Sequence, residues 1–181
     1  SYPLRQGIPR EELKSRLRMS SSVFDALLRG LGVENRLNVA HVRQDVPGVT
    51  PVPVVYLPSH TVQFSSEQQE KRRRLLAEFE ANPYTPPTIK DCVDQVGLEV
   101  YNALVDQGEL IPVSDEVVFR REDYTKMVAS VEELLQDQGT VTVATVRDYL
   151  DSTRRYILAL LEHLDAIDLT VRLGDVRKLK Q

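Results

Sequence analysis

The strongest constraint on this chain is a pattern that recurs three times. It is carried by "PREELKSRL…VFDALLRGLGVENRLNVAHV", "PPTIKDCVDQVGLEVYNALVDQGELIPVSDEVVF" and "VATVRDYLDSTRRYILALLEHLDAIDLTVRLGDVRKL". Each copy reads as a short amphipathic helix, a second helix with an apolar pair, and a closing two-stranded ribbon. The anchors are Leu13 and Leu17, matched to Ile89 and Val93, then to Val146 and Leu150. In the second helix, Leu27 and Leu28 match Leu104 and Val105, then Leu160 and Leu161. Identity between the copies is low, so the repeat is one of structure.

Leading helices complete the second and third copies. Ser65, with Gln68 and Gln69 behind it, is a capping-box start. The helix it opens runs through Leu75, Leu76 and Phe79 and stops near Asn82-Pro83, since the residue before proline avoids helix. A second leading helix spans about Arg121 to Gln138, with Val128, Val131, Leu134 and Leu135 as its stripe and Gly139 as a left-handed terminator. The first copy lacks an obvious leading helix, as if the chain started partway into a longer protein. Helix, helix, helix and hairpin is the winged-helix plan. The expected class is therefore mainly α with small β-hairpin wings, in three tandem units at 1–64, 65–120 and 121–181. Units of roughly 60 residues bury little surface alone. With no Gly/Ser linker between them, a semi-rigid row is expected.

The chain has 181 residues, 41% of them apolar and 28% charged, as in soluble folded proteins. No run is long and apolar enough to span a membrane, and no signal pattern opens the sequence. A single cysteine, Cys92, excludes an internal disulfide and reads as a buried apolar side chain. Together these favour a cytoplasmic setting. No catalytic constellation is present. The eight glycines form no phosphate loop. His41, His60 and His163 have no metal-ligand spacing, and His163 reads as a surface residue. The run Lys71–Arg74 reads as a solvated face balanced by Glu67, Glu70 and Glu78 at i, i+4 spacings. No cofactor or metal is expected in this chain.

Net charge is −4, yet residues 169–181 hold Arg172, Arg177, Lys178 and Lys180 against Asp175 alone. The third unit thus concentrates cations. Arg154, Arg155 and Tyr156 crowd the first turn of its second helix, where Ser152 or Thr153 is the cap. Two arginines at a helix N-terminus, among free N–H groups, form a site for phosphate. Gly174-Asp175 is a two-residue hairpin turn. It sets Leu173 against Val176 and Arg172 against Arg177. Two opposed arginines repel, a repulsion relieved by an anion between them. The other units show no such cluster, so one module binds a polyanion while the others space or position it.

These residues resemble a known family. "RQGIPREELKSRL" is similar to the opening of the second winged helix in bacterial selenocysteine-specific elongation factors. "NPYTPPT" is similar to the entry of their third, and "STRRYILALLEHLD…LTVRLGDVRKL" resembles their last. The resemblance implies that the three units are winged helices two to four, without the GTPase part. It implies an mRNA-binding segment that holds the selenocysteine-insertion hairpin, with its looped-out or bulged base, for selenocysteine incorporation at UGA. GTP and magnesium are implied for the absent GTPase part, as are selenocysteyl-tRNA through that part and the ribosome through the full-length factor. The implied RNA contacts fall on Ser152, Thr153, Arg154, Arg155 and Tyr156, and on Arg172, Gly174, Asp175, Arg177 and Lys178. Val171 departs from the family's pattern, which has a second basic residue there. Tyr156 is a candidate for stacking on a splayed base or for packing against the wing. A monomer is expected. Two alternatives stand beside this reading: a DNA-binding regulator, and a tandem scaffold that binds only proteins.

Overall fold

The computed structural model describes residues 4, 5, 7–42, 52–60 and 62–180. The side chain of His41 lies outside this description. Three winged-helix units follow one another. Unit 1 holds β1 (Ile8–Pro9), α1 (Arg10–Leu17), α2 (Ser21–Val33), β2 (Asn38–Val42) and β3 (Val52–Tyr56). Unit 2 holds α3 (Ser66–Ala81), α4 (Ile89–Val96), α5 (Leu98–Asp106), β4 (Leu110–Pro112) and β5 (Val118–Arg120). Unit 3 holds α6 (Arg121–Gln138), β6 (Val141–Thr142), α7 (Val143–Leu150), α8 (Arg154–Ala166), β7 (Thr170–Leu173) and β8 (Val176–Leu179).

The leading helices form where local chemistry places them. The Ser65 side chain accepts from the Gln68 amide, and the Gln68 side chain accepts from the Ser65 amide, at 3.2 and 2.9 Å. Gly139, at φ 73°, ends α6 in the left-handed region. The repeat is also written in the backbone. Arg18, Gly97 and Asp151, all with positive φ, end the first helix of each pair. Asn35, Gly108 and Asp168, again with positive φ, sit two residues beyond the second. The amides that follow bond back to Leu31, Leu104 and Leu164, closing Schellman-type turns.

Two expectations need correction. The ribbons of units 1 and 3 are three-stranded, in orders β1-β3-β2 and β6-β8-β7. Their extra strands are two residues long, too short to leave a period in the sequence. In unit 2 a single bond from the Ile89 amide to the Glu116 carbonyl, 3.0 Å, stands in the same place. The helical anchors of unit 2 are also shifted. Cys92 and Val96 occupy the fourth and eighth positions of α4, as Val146 and Leu150 do in α7. They are buried, whereas Ile89 and Val93 only flank the core. Matching by i, i+4 apolar spacing passed over Cys92, a small hydrophobe whose thiol pKa burial pushes up to about 12.

Units 2 and 3 share a sheet between their cores. Leu110 and Val118 of the hairpin β4–β5 enter the unit 2 core. The opposed pair Ile111 and Phe119, with Val113 and Val117 beyond them, enters the unit 3 core. Both faces of this hairpin are therefore buried, one by each helical set. No linker follows it, since β5 ends at Arg120 and α6 begins at Arg121. Arg120 donates two bonds to the buried Asp123, at 2.9 and 3.2 Å, and one to Glu80 of α3, at 2.7 Å. Arg121 donates back to the Gly108 carbonyl at 2.5 Å.

Candidate nucleic-acid interface

The start of α8 divides its residues between two tasks. Thr153 occupies the N-cap with extended backbone, and its side chain makes no capping bond. The first-turn amides are thus left without a side-chain cap. Arg154 is exposed and has no ion pair or hydrogen bond among the described residues. The other polar groups turn toward unit 2. Ser152 Oγ donates to the Tyr84 carbonyl at 2.6 Å, and the Tyr156 hydroxyl donates to the Pro86 carbonyl at 2.7 Å. The Tyr156 ring lies tilted, 6.2 Å from Phe119 of the unit 2 hairpin. Of the two candidate roles for Tyr156, stacking on a base or packing against the wing, its contacts in the structure are of the packing kind, made with unit 2 through ring and hydroxyl. Arg155 lies over the Tyr156 ring at 5.8 Å and reaches Glu116 across the junction at 2.8 Å. Asp148, just ahead of this helix start, is paired with Arg147 at 2.6 Å.

The wing has the register its turn demands: Leu173 faces Val176 and Arg172 faces Arg177. The expected phosphate between the two arginines is corrected. Arg177 is 1% exposed, and its Nε donates to Asp165 of α8 at 2.8 Å. The other Asp165 oxygen accepts from Thr170 Oγ1 at 2.5 Å. Arg177 thus pins the wing to its helix. Its Nη2 is buried and has no hydrogen-bond partner. Arg172 stays exposed, with Nε bonded only to the Gly174 carbonyl at 3.0 Å. Lys178, on the other face of the ribbon, is exposed and has no partner among the described residues. Gly174 (φ 65°) and Asp175 form the exposed tip. Lys180 is paired with Asp168 at 2.5 Å.

The surface that remains open to an anion consists of Arg154 at the helix start and Arg172 and Lys178 on the wing, with Arg155 half-engaged beside them. β7 follows the end of α8 and packs against that helix, with Thr170 and Arg177 both bonded to Asp165 near its C-terminus. Tyr149, on the last turn of α7, is 53% exposed and was not singled out in the sequence. Val171 and Leu173 are exposed on the face that carries Lys178.

Other expectations resolve simply. The run Lys71–Arg74 is neutralised, Lys71 by Glu67, Arg72 by Glu109, and Arg73 and Arg74 by Glu70. Bonds from Arg74 and Arg73 hold the Glu70 pKa below the ordinary value. His163 is not a surface residue. It is partly buried, edge-on to Tyr124 at 5.7 Å, with Nε2 3.2 Å from the Tyr124 hydroxyl. Tyr124 lies in the core that unit 3 shares with the wing of unit 2, which a reading of α8 alone does not contain. Among the described residues no cluster of three metal-ligating side chains occurs, and no helix is long and apolar enough to cross a membrane.

Two family models, both described as elongation factor SelB, winged helix, match this chain. One, for a second winged helix, covers residues 1–41; the other, for a third, covers 133–179. The selenocysteine-specific elongation factor of Desulfomicrobium baculatum is 25% identical over 185 residues, covering 99% of this chain and 28% of the relative. That of Haemophilus influenzae is 24% identical over 127 residues, covering 67% and 20%. The chain thus spans less than a third of either relative. Among solved structures, the mRNA-binding domain of elongation factor SelB from E. coli, in complex with SECIS RNA, matches with a TM-score of 0.51 at 24% identity. That match covers 65% of this chain and all of the other. A bacterial selenocysteine-specific elongation factor matches with a TM-score of 0.52 at 18% identity, over 97% of this chain and 26% of the other. With family models on its first and last units and a relative aligned over nearly its whole length, the chain is similar to the winged-helix region of the SelB selenocysteine-specific elongation factors.

Proposed function

We propose that this chain is the mRNA-binding part of a selenocysteine-specific elongation factor. Unit 3 grips the selenocysteine-insertion hairpin and so directs selenocysteine incorporation at UGA. The observation that carries the reading is the set of exposed cations with no acidic partner among the described residues, Arg154 at an uncapped helix start and Arg172 and Lys178 on the wing of the same unit. Paired RNA presents phosphates and a deep, narrow groove, so a protein grips its backbone and reads bases only where they are splayed out. Three cations and a row of free amides suit the backbone. Tyr149 is an exposed aromatic side chain of the same unit. The solved E. coli complex supports an RNA hairpin as the ligand.

On this reading the chain itself is a non-catalytic, monomeric module that works in the cytoplasm. GTP, magnesium, selenocysteyl-tRNA and the ribosome are engaged through the rest of the factor. This sequence has no Gly-rich loop with which to hold a nucleotide.

The test is a titration with three ligands: an RNA hairpin with a bulged base, the same stem without it, and matching DNA. The bulged hairpin should bind best. Its affinity should fall with salt along a slope of roughly three charges. Arg154→Ala, Arg172→Ala and Lys178→Ala should each weaken it by about 3- to 10-fold without changing stability. Equal binding of DNA, or indifference to all three substitutions, overturns the proposal.

A further inference from the structure

Of the two arginines that open α8, only Arg155 has an acidic partner among the described residues, and that partner belongs to another unit. Glu116 lies at the tip of the unit 2 hairpin, between β4 and β5, and accepts a single bond from Arg155 Nη2 at 2.8 Å. The backbone of this tip is fixed. The Ile89 amide donates to the Glu116 carbonyl at 3.0 Å, and the Glu116 and Val117 amides donate to Ser114 Oγ at 3.3 and 3.0 Å. Val117, the next residue, is buried in the core shared with unit 3. The Glu116 side chain is different: it is 73% exposed, and Arg155 is its only bonded partner among the described residues. It can turn away without disturbing the hairpin. Arg155 is held from its other side, with its guanidinium 5.8 Å from the centre of the Tyr156 ring, whose hydroxyl is bonded to the Pro86 carbonyl.

We propose that Glu116 is a resident stand-in for an RNA phosphate, which masks Arg155 and yields it when the RNA backbone arrives. The proposal rests on the RNA-binding role of unit 3 and adds Arg155 as a further, masked contact, so that unit 2 sets the affinity of unit 3. Geometry favours the exchange. Glu116 engages one N–H of the arginine fork, whereas a phosphate can take two in parallel. The mask is also light, because an exposed ion pair in water is a weak competitor. Asp91 of α4, whose pKa bonds from Thr88 hold below the ordinary value, feels the Arg155 charge as well. Unit 2 thus sets two carboxylates in the field of this arginine. While the pair is closed it is neutral and adds nothing to the attraction of a distant polyanion. Removing the acid uncovers a full positive charge at the helix start.

The test is a double-mutant cycle read by binding of the bulged RNA hairpin. Glu116→Gln keeps the shape of the side chain and an oxygen that can accept from Arg155, but removes the charge. It should raise affinity by about 2- to 5-fold and steepen the salt dependence by about one charge. Asp115→Asn removes the neighbouring exposed acid of the same tip, which has no partner among the described residues. It controls for long-range charge and should give the smaller gain. In an Arg155→Ala background the gain from Glu116→Gln should fall to that of this control. An unchanged affinity for Glu116→Gln overturns the proposal. So does a lowered one, which would make Glu116 a strut that positions Arg155, and so does a gain that survives Arg155→Ala. Failure of the unsubstituted chain to bind the hairpin overturns the RNA-binding reading together with the proposal, which keeps the two failures apart.

Discussion

The two junctions of this chain are built differently. Unit 1 gives the unit 2 core one buried side chain among the described residues, Leu4, supported by Val62 and Phe64 ahead of α3. A bond from His60 to the Arg5 carbonyl, 2.7 Å, ties the two entering segments together. Unit 2 gives the unit 3 core four side chains, Ile111, Val113, Val117 and Phe119. It adds the Arg120–Asp123–Glu80 cluster and the bonds that hold the start of α8. The first junction joins two modules, whereas the second fuses them. The consequence is functional: the cations of unit 3 are presented from a body twice the size of one winged helix. Part of the helix start first read as RNA-contacting, Ser152 and Tyr156, instead fixes the angle at which Arg154 is offered.

The sharpest way to break this comparison is Phe119→Ala. Removing a fully buried ring should cost about 3–5 kcal/mol, and the loss should be felt in both units that share the hairpin. Amide exchange in α4 and α6 should accelerate together, while unit 1 stays as it was. Phe24→Ala, a comparable deletion in the unit 1 core, should leave α4 and α6 protected. If Phe119→Ala loosens α6 alone, the shared core is not one cooperative unit. Asp123→Ala follows, at about 3 kcal/mol, because it strands Arg120 beside a buried site. Denaturant unfolding would measure both.

A smaller effect is expected at Gly108. Its φ of +70° suits glycine, and a Cβ there would meet the Arg121 guanidinium that closes over it. Gly108→Ala should lose about 1–3 kcal/mol, combining backbone strain with displacement of Arg121. Asn35 and Asp168 hold the equivalent turns without such a clasp. Substituting either by glycine should be nearly neutral, which isolates the contribution of the junction.

What was legible in the sequence followed local rules. The capping box at Ser65, the span of α6 with its Gly139 stop, and the register across Gly174-Asp175 each depend on a few adjacent residues. The fate of the cations did not. Thr170, Arg172, Arg177 and Leu179 share one face of the wing; Val171, Leu173, Val176 and Lys178 share the other. Both faces mix apolar and charged groups, so alternation does not say which faces the helix. Asp165, the partner that draws Arg177 inward, lies beside Leu164 on α8 and carries no signal of that role. The partners of Ser152 and Tyr156 are backbone carbonyls about seventy residues away in another unit. No side-chain pattern in α8 points to them.

The smallest expected effect concerns His163, which is partly buried against Tyr124 of the shared core. Burial lowers its pKa below the ordinary 6.5. The native state therefore binds fewer protons than the unfolded chain in the window just below that value. Stability contributed by the neutral ring is complete above pH 6.5 and is lost as pH falls through the lowered folded value. His163→Phe keeps a ring edge-on to Tyr124 and removes the titration. The stability of the unsubstituted protein relative to this variant should be constant above about pH 7, decline as pH falls below 6.5, and level off once the folded-state group is protonated. Denaturant midpoints measured across that range would show it. A relative stability that is flat with pH would mean that His163 is solvated in the native state.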